Sequence, residues 1–160
     1  MNQEFLNIIG NIIDNIDFKK LEREEHHHCI SRYEHSCNVA YATYKTCKRL
    51  KLDYVSATRA AIVHDFFFNS NFSNSKDKLL THSKHSIINA SKIMCLSDKE
   101  KDMIASHMFP VGGEVPKTKE GFILDLCDDV VSIKEKLYYN KFKLEKVAIS
   151  MSVILFNIFK

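Results

Sequence analysis

The stretch Ala60-Ala61-Ile62-Val63-His64-Asp65 places a histidine and an aspartate side by side at the end of a short apolar run. Together with Ala57, the two alanines and His64 follow the i, i+3, i+4 and i+7 spacing of one helix face. The stretch therefore predicts a helix with a buried face of small residues, which neighbouring helices can approach closely. Adjacent imidazole and carboxylate groups are hard to explain by packing alone, and borderline divalent metals favour this mixture of ligands.

The composition predicts one helical domain over residues 1–160. The chain has 160 residues with 4 glycines, 2 prolines and no tryptophan, and so few helix breakers favour helices over a many-turned β fold. A net charge of +3 is too small to indicate nucleic-acid binding. The 5 cysteines form no CxxC motif, which is typical of reduced thiols in the cytoplasm. The acidic start and the shortness of the most apolar stretch, residues 147–159, predict no membrane attachment.

Apolar periodicity predicts an all-α, single-domain bundle of about six to eight helices. Ser31, Asp53 and Ser97 are each expected to cap a helix. No segment shows the alternation of a strand. Residues 66–75 and 110–118 are expected to be loops, the second a candidate lid. Helices are predicted over about 5–16, 31–50, 53–64, 81–95 and 97–109, through 124–135, and as a C-terminal packing helix over about 144–159.

Five of these helical regions carry a histidine or aspartate on, or at the end of, an apolar face. These histidines and aspartates are His35, the His64-Asp65 pair, His82, His107 and Asp128. One buried histidine is usually a core residue with a satisfied hydrogen bond, but five such positions are hard to explain independently. Histidine and carboxylate ligands suit one or two divalent transition-metal ions such as Mn, Fe, Co, Ni or Zn, and suit Mg less well.

The order of these residues resembles the HD-domain superfamily of metal-dependent phosphohydrolases, with its signature H…HD…D and further histidines between. The likeness is closer to small stand-alone bacterial HD proteins and covers about residues 25–137. It rests on Arg32-Tyr33-Glu34-His35-Ser36, on Ala61-Ile62-Val63-His64-Asp65, on His82 with Asn89-Ala90, on Ser106-His107-Met108-Phe109-Pro110, and on Asp125-Leu126-Cys127-Asp128.

The resemblance implies a metal shell of His35, His64, Asp65 and Asp128, with Asp65 bridging if two ions bind. His82 and His107 match histidines that hold a second metal or the substrate phosphate in some members. His85 competes with His82 for its position. His82 is preferred because its distance to Asn89-Ala90 fits the family and because it opens the predicted helix.

The implied function is hydrolysis of a phosphate ester of a small metabolite or nucleotide by metal-activated water. Asp65, His82, His107 and Arg32 are the candidate catalytic residues. Arg32 faces the same way as His35, and either contacts phosphate or pairs with Glu24 or Glu34. His27, within the tract 26–28, and Lys84 are candidates for the substrate mouth.

Two departures from the family motivate an alternative function. After the His64-Asp65 pair, relatives tend to carry Tyr and Asp, but this chain has Phe66-Phe67-Phe68-Asn69-Ser70. After the closing aspartate, Asp128, relatives often have Lys, but this chain has Asp129. A metal-binding sensor or regulatory module with little catalysis is therefore the alternative. A third interpretation is a helical interaction protein whose residues 153–156 contact a partner, and a homo-oligomer is left open. Asp129 and Lys78 are expected at the solvated surface, and Asp125 is either solvated or a partner for a metal-bound histidine.

Overall fold

Seven helices and one hairpin make up residues 2–27, 30–112 and 114–158, the part of the chain that the computed structural model describes. This confirms the predicted all-α bundle. The helices are α1 (Gln3–Ile13), α2 (Ile16–Lys19), α3 (Arg32–Arg49), α4 (Tyr54–Val63), α5 (Ser75–Ile93), α6 (Asp98–Ser106) and α7 (Lys119–Ile158), and the strands are β1 (Glu25–His27) and β2 (Ile30–Ser31).

Side-chain caps begin three helices where the sequence predicts them. Ser31 accepts a hydrogen bond from the Glu34 amide at 3.1 Å at the start of α3. Asp53 accepts from the Ser56 amide at 3.1 Å and begins α4. Ser97 begins α6 in a full capping box. Each cap satisfies an amide that the helix itself leaves without a partner.

The start of α5 was predicted too late. The helix begins at Ser75 because Asn74, which lies in the predicted loop, accepts a hydrogen bond from the Asp77 amide at 2.9 Å. His82 therefore lies about two turns inside the helix, and the expectation that it opens the helix is wrong. The next helix, α6, ends earlier than predicted. Its last residue is Ser106, so His107 is the C-cap of this helix and does not lie in its last turn.

The two C-terminal helices of the prediction are one helix. α7 runs without interruption for 40 residues because neither glycine nor proline follows Gly121 within its length. Leu124, Asp128, Val131 and Glu135 share the face that packs on the bundle. Leu144 and Glu145, at the start of the predicted C-terminal packing helix 144–159, are exposed, so no packing begins there. The rest of that helix, including the partner surface at 153–156, lies outside the described side chains.

The hairpin corrects the expectation of no strands. β1 and β2 pair antiparallel, with Glu25 opposite Ser31 and His27 opposite Ile30. Strands of three and two residues are too short to show an alternating pattern. His28 and Cys29, between the strands, lie outside the described residues.

The core surrounds α4, whose small residues let α3, α6 and α7 approach it. Ala57, Ala60 and Ala61 are fully buried, as are Ile62 and Val63. α1 covers the side of α3 and α4 through Phe5 and Ile9. The end of α4 is thus held at the centre of the bundle. Within the described residues, none of the helices is both long and apolar enough to cross a membrane.

Candidate metal centre

Five helices and the hairpin bring histidines and aspartates to one buried region. His35 lies in the first turn of α3, His64 and Asp65 directly follow α4, and His107 directly follows α6. α5 supplies His82 and α7 supplies Asp128. The side chains of His35 and His64 are fully buried, and Asp65, His82 and His107 are nearly so.

Backbone carbonyls fix the tautomers of three of these histidines. Nδ1 of His64 lies 2.7 Å from the Ala61 carbonyl oxygen, Nδ1 of His82 lies 2.9 Å from that of Lys78, and Nδ1 of His107 lies 2.6 Å from that of Ile104. A carbonyl only accepts, so each Nδ1 must donate. In the neutral rings each Nε2 then carries a lone pair, which is the state that binds a metal.

The three Nε2 atoms converge on a region that offers them few hydrogen-bond donors. Nε2 of His82 lies 3.1 Å from Nε2 of His107, and two lone pairs cannot face each other without a proton or a cation. Nε2 of His64 is buried without a hydrogen-bond partner in the described structure. A buried polar nitrogen of this kind is costly unless something pairs with it.

Two carboxylates complete the set of donors. Oδ1 of Asp65 lies 3.6 Å from Nε2 of His107 and 3.8 Å from Nε2 of His82. Oδ1 of Asp128 lies 2.9 Å from Nε2 of His35 and 3.6 Å from Nε2 of His64. Ligands about 2.1 Å from one ion are separated from each other by roughly 3.0–3.5 Å, so these spacings are close to those of a metal shell.

His35 is held by a carboxylate that the sequence analysis did not single out. Oε2 of Glu135 lies 2.9 Å from Nδ1 of His35, and Oε1 of Glu135 accepts from the Asn38 amide at 3.1 Å. The Nδ1 contact leaves Nε2 of His35 directed at Asp128. Carboxylate partners of this kind orient ligand histidines and raise their basicity. Glu135 is seven residues after Asp128 on the same helix face, which is the signal that could have found it.

The charges of the metal-free centre are strongly coupled. Burial lowers the pKa of His35, but hydrogen bonds with Asp128 and Glu135 outweigh it and raise the pKa to about 10. Burial opposes the charge of His107 as well, and Asp65 outweighs it, so its pKa is raised. Burial lowers the pKa of His82. Of the two rings, His107 is therefore the more basic, and a metal ion would compete with a proton at its Nε2.

Both aspartates of the centre stay ionised. Burial favours their neutral forms, but electrostatic interaction with the neighbouring imidazoles, His64 first, lowers the pKa of Asp65 and of Asp128 well below the usual value. One buried and one partly buried carboxylate thus face converging imidazoles. His35, His64 and Asp128 form one group of donors that could hold an ion, and His64, Asp65 and His107 form another.

The hairpin adds His26 to the edge of the centre. Its ring stacks on that of His35 with centroids 3.8 Å apart, and its Nδ1 lies 3.6 Å from Oδ2 of Asp65. With His35 and Asp65 it forms a third group that could hold an ion. His27 is the histidine that the sequence predicts for this position, but its side chain lies outside the described part of the structure. The sequence did not predict the hairpin, so it could not show which histidine of the tract 26–28 faces the centre.

A cavity of about 360 Å³ opens onto the centre. Lys78 lines it and Lys84 does not, because six residues along a helix turn the side chain by about 240°. Asp129 is exposed, as expected, and also lines the cavity. His85 contacts Phe72 instead. The full lining is His26, Asp65, Phe67, Ser75, Lys78, Leu79, His82, Met108, Asp128, Asp129 and Ser132.

The connection 110–118 begins beside this cavity. A Cβ atom at Gly112 would lie 2.9 Å from the Leu79 carbonyl oxygen, so only glycine allows the loop to lie this close to α5. Met108, just before the loop, and Leu79 both line the cavity. The expectation that the loop closes over a ligand stays a prediction, and Gly113 lies outside the described residues.

Arg32 is fully buried and does not line the cavity. Its guanidinium donates to the Phe67 carbonyl oxygen at 2.9 Å, to Glu24 at 3.3 Å and to Oδ1 of Asn69 at 3.1 Å. The same Asn69 oxygen accepts from Lys78 at 3.0 Å. Of the two roles left open for Arg32, the structure thus contains the pair with Glu24, and Asn69 positions both cations.

Asp125 stands apart from the histidine contacts described here. It is half-buried, and burial together with the nearby charge of Asp129 raises its pKa to about 6. The partner role that the sequence analysis offered for it is occupied at His35 by Glu135.

Comparison with known proteins identifies no relative, because no family model, no curated protein and no solved structure matches this chain.

Proposed function

We propose that this chain is a metal-dependent hydrolase of phosphate esters, related to the HD-domain superfamily, that holds one or two divalent transition-metal ions between His35, His64, Asp65 and Asp128. His82 and His107 would complete the shell of the second ion. The substrate would be a small phosphorylated metabolite or nucleotide, since the adjoining cavity has a volume of about 360 Å³.

The convergence of Nε2 lone pairs on two ionised aspartates carries the proposal. Three histidines donate through Nδ1 to backbone carbonyls, so in the neutral rings the other nitrogens are available as acceptors or metal ligands. A histidine buried for packing alone needs no such orientation, and Nε2 of His64 would be left unsatisfied. A divalent cation supplies what the protein lacks at this point.

The residues of the cavity suit an anionic substrate beside such an ion. When bound, a divalent metal acidifies water and polarises phosphoryl oxygens, which is the chemistry of ester hydrolysis. Lys78 donates to Asn69 from the cavity wall and offers a positive charge for a phosphate group. Leu79 and Met108 supply apolar wall to the cavity. His82 and Asp65 lie at the inner end, where they orient groups of the substrate.

The first experiment measures metal content in untagged protein purified without chelator. One or two equivalents of a transition metal are expected, with loss of that metal in Asp65→Ala. Asp98→Ala is the matched control, because Asp98 is exposed in the first turn of α6. Hydrolysis of p-nitrophenyl phosphate and of a nucleotide panel is then measured in both variants. Absence of metal in the wild type, persisting after incubation with Mn²⁺ or Fe²⁺, would refute the proposal.

A metal-binding sensor with little catalysis is the second candidate function, and Asp129 favours it. This carboxylate lines the cavity with Ser132 and adds negative charge where a phosphate would bind. The sensor function predicts stoichiometric metal without turnover of any ester in the panel. Asp129→Lys separates the two functions: turnover that appears or rises only in this variant favours the sensor, whereas wild-type turnover that Asp65→Ala abolishes favours the hydrolase.

A further inference from the structure

α7 carries a second apolar face that the bundle does not cover. Ile133, Leu137 and Leu144 are 59%, 63% and 70% exposed, and Leu126 and Val130 are exposed as well. From Lys136 to Glu145 only Tyr139 is not exposed. A long helix in water is stabilised chiefly by packing of its apolar face, so exposure of this many large side chains requires a partner.

The exposed residues follow a seven-residue repeat. Positions 126, 130, 133, 137, 140 and 144 alternate steps of four and three, which is the spacing of the a and d positions of a coiled coil. In sequence the same steps continue through Val147, Met151, Ile154 and Ile158. The repeat thus extends over more than four heptads, far beyond the length that chance alternation of apolar residues usually gives.

The repeat lies on the side of α7 that faces away from the bundle. The buried residues Leu124 and Val131 occupy b positions, and Asp128 and Glu135 occupy f positions. At 100° per residue, the centre of the b and f face is about 150° from the centre of the a and d face. A helix packed on the exposed face would therefore lie away from the bundle core, and Asp129, at a g position, would border both the seam and the cavity.

We propose that this face, the α7 seam, pairs with the α7 seam of a second copy of the chain in a parallel, in-register coiled coil. Among the side chains that the structure describes, no other segment covers this face, since its apolar residues up to Leu144 are exposed. A second copy presents the same repeat, as an isologous dimer requires. About 20 residues form or flank the seam, which is the size of a standard protein interface.

One polar position along the seam favours the parallel, in-register arrangement. Asn140 is the polar member of the a and d positions, and a single polar residue there fixes register by facing its copy. In the parallel pair, Asp129 at a g position faces Lys134 at the following e position of the partner copy, once on each side. Lys136 faces Lys141 in the same way, and this repulsion is relieved by salt.

The test compares two double variants of the full chain by light scattering coupled to gel filtration. Ile133→Glu with Leu137→Glu introduces charge into the seam, and Tyr138→Glu with Phe142→Glu makes the same changes at outer positions b and f. The wild type and the outer variant are expected at twice the mass of one chain, and the seam variant at the mass of one chain. Unchanged far-UV circular dichroism of the bundle and unchanged metal content would show that the seam variant still folds.

A cysteine test addresses orientation. Ile133→Cys and Asn140→Cys are both expected to form a covalent dimer on mild oxidation, and Tyr138→Cys is not. Crosslinking at neither seam position would overturn the parallel register. A wild-type chain that stays monomeric throughout the micromolar range, or that is monomeric and sediments with vesicles containing anionic lipid, would overturn the dimer, because the seam would then lack a protein partner or bind a membrane surface.

Discussion

Replacing Glu135 by glutamine removes one negative charge beside His35 and keeps the shape of the side chain. The glutamine oxygen can still accept from Nδ1 of His35, and Asn38 can turn its amide to accept from the new NH₂ group. Both wild-type hydrogen bonds of Glu135, with His35 at 2.9 Å and with Asn38 at 3.1 Å, can therefore be replaced by equivalent bonds in the variant. The variant isolates the effect of charge on a buried ligand.

The expected effects follow from the contact with His35. A hydrogen bond to a charged group contributes about 1.5–3 kcal/mol, which corresponds to roughly 1–2 pKa units. The pKa of His35 in metal-free protein should fall by that amount from about 10, since Asp128 remains. Loss of a carboxylate partner to a ligand histidine typically weakens metal binding by about 10–100-fold, and we expect the same range for Glu135→Gln.

Two measurements check this reasoning. Competition with a chromophoric chelator gives metal affinity, and NMR titration of the imidazole protons gives the pKa of His35. Glu145→Gln, an exposed change on the same helix, is the matched control. An affinity within twofold of wild type, together with an unchanged titration of His35, would refute the role assigned to Glu135.

Three further outcomes are expected. Metal binding should release protons, because a proton competes with the metal for His107, whose pKa burial lowers but Asp65 raises overall. Metal affinity should therefore fall with decreasing pH. Calorimetry in buffers of different ionisation enthalpy measures the release, and metal binding without proton release would contradict it. Arg32→Met should lower the free energy of unfolding by about 2–4 kcal/mol in urea, since it leaves half-buried Glu24 without its cation; a loss below about 1 kcal/mol would contradict it. Lys78→Met should raise the KM for a phosphate ester about tenfold or more, and Lys84→Met should leave it unchanged.

Local signals predicted much of the fold because they act within a few residues. Ser31, Asp53 and Ser97 cap helices through contacts that depend only on nearby sequence. The periodicity around Ala57 to His64 placed the end of α4 correctly. The start of α5 was missed because Asn74 looked like a loop residue in an Asn- and Ser-rich stretch, although the same residue type caps helices.

The rest of the site depends on contacts between distant segments, which periodicity does not encode. His26 faces Asp65 because a two-stranded hairpin turns it inward, and the sequence showed only a run of charged residues and histidines. Lys78 rather than Lys84 lines the cavity because α5 begins earlier than predicted. Arg32 is buried because Glu24 and a carbonyl near Phe67 surround it, and neither contact follows from spacing along α3.

The positions of His64 and His107, each just past the end of a helix, have an electrostatic consequence. The C-terminal ends of α4 and α6 both point at the centre, and each helix end carries a partial charge of about −0.5. These dipoles add to the charges of the buried carboxylates. The resulting field attracts cations and repels anions, so a phosphorylated molecule should bind only after the metal. The positions at which α4 and α6 end therefore favour ordered binding, in which the metal binds before the phosphorylated molecule.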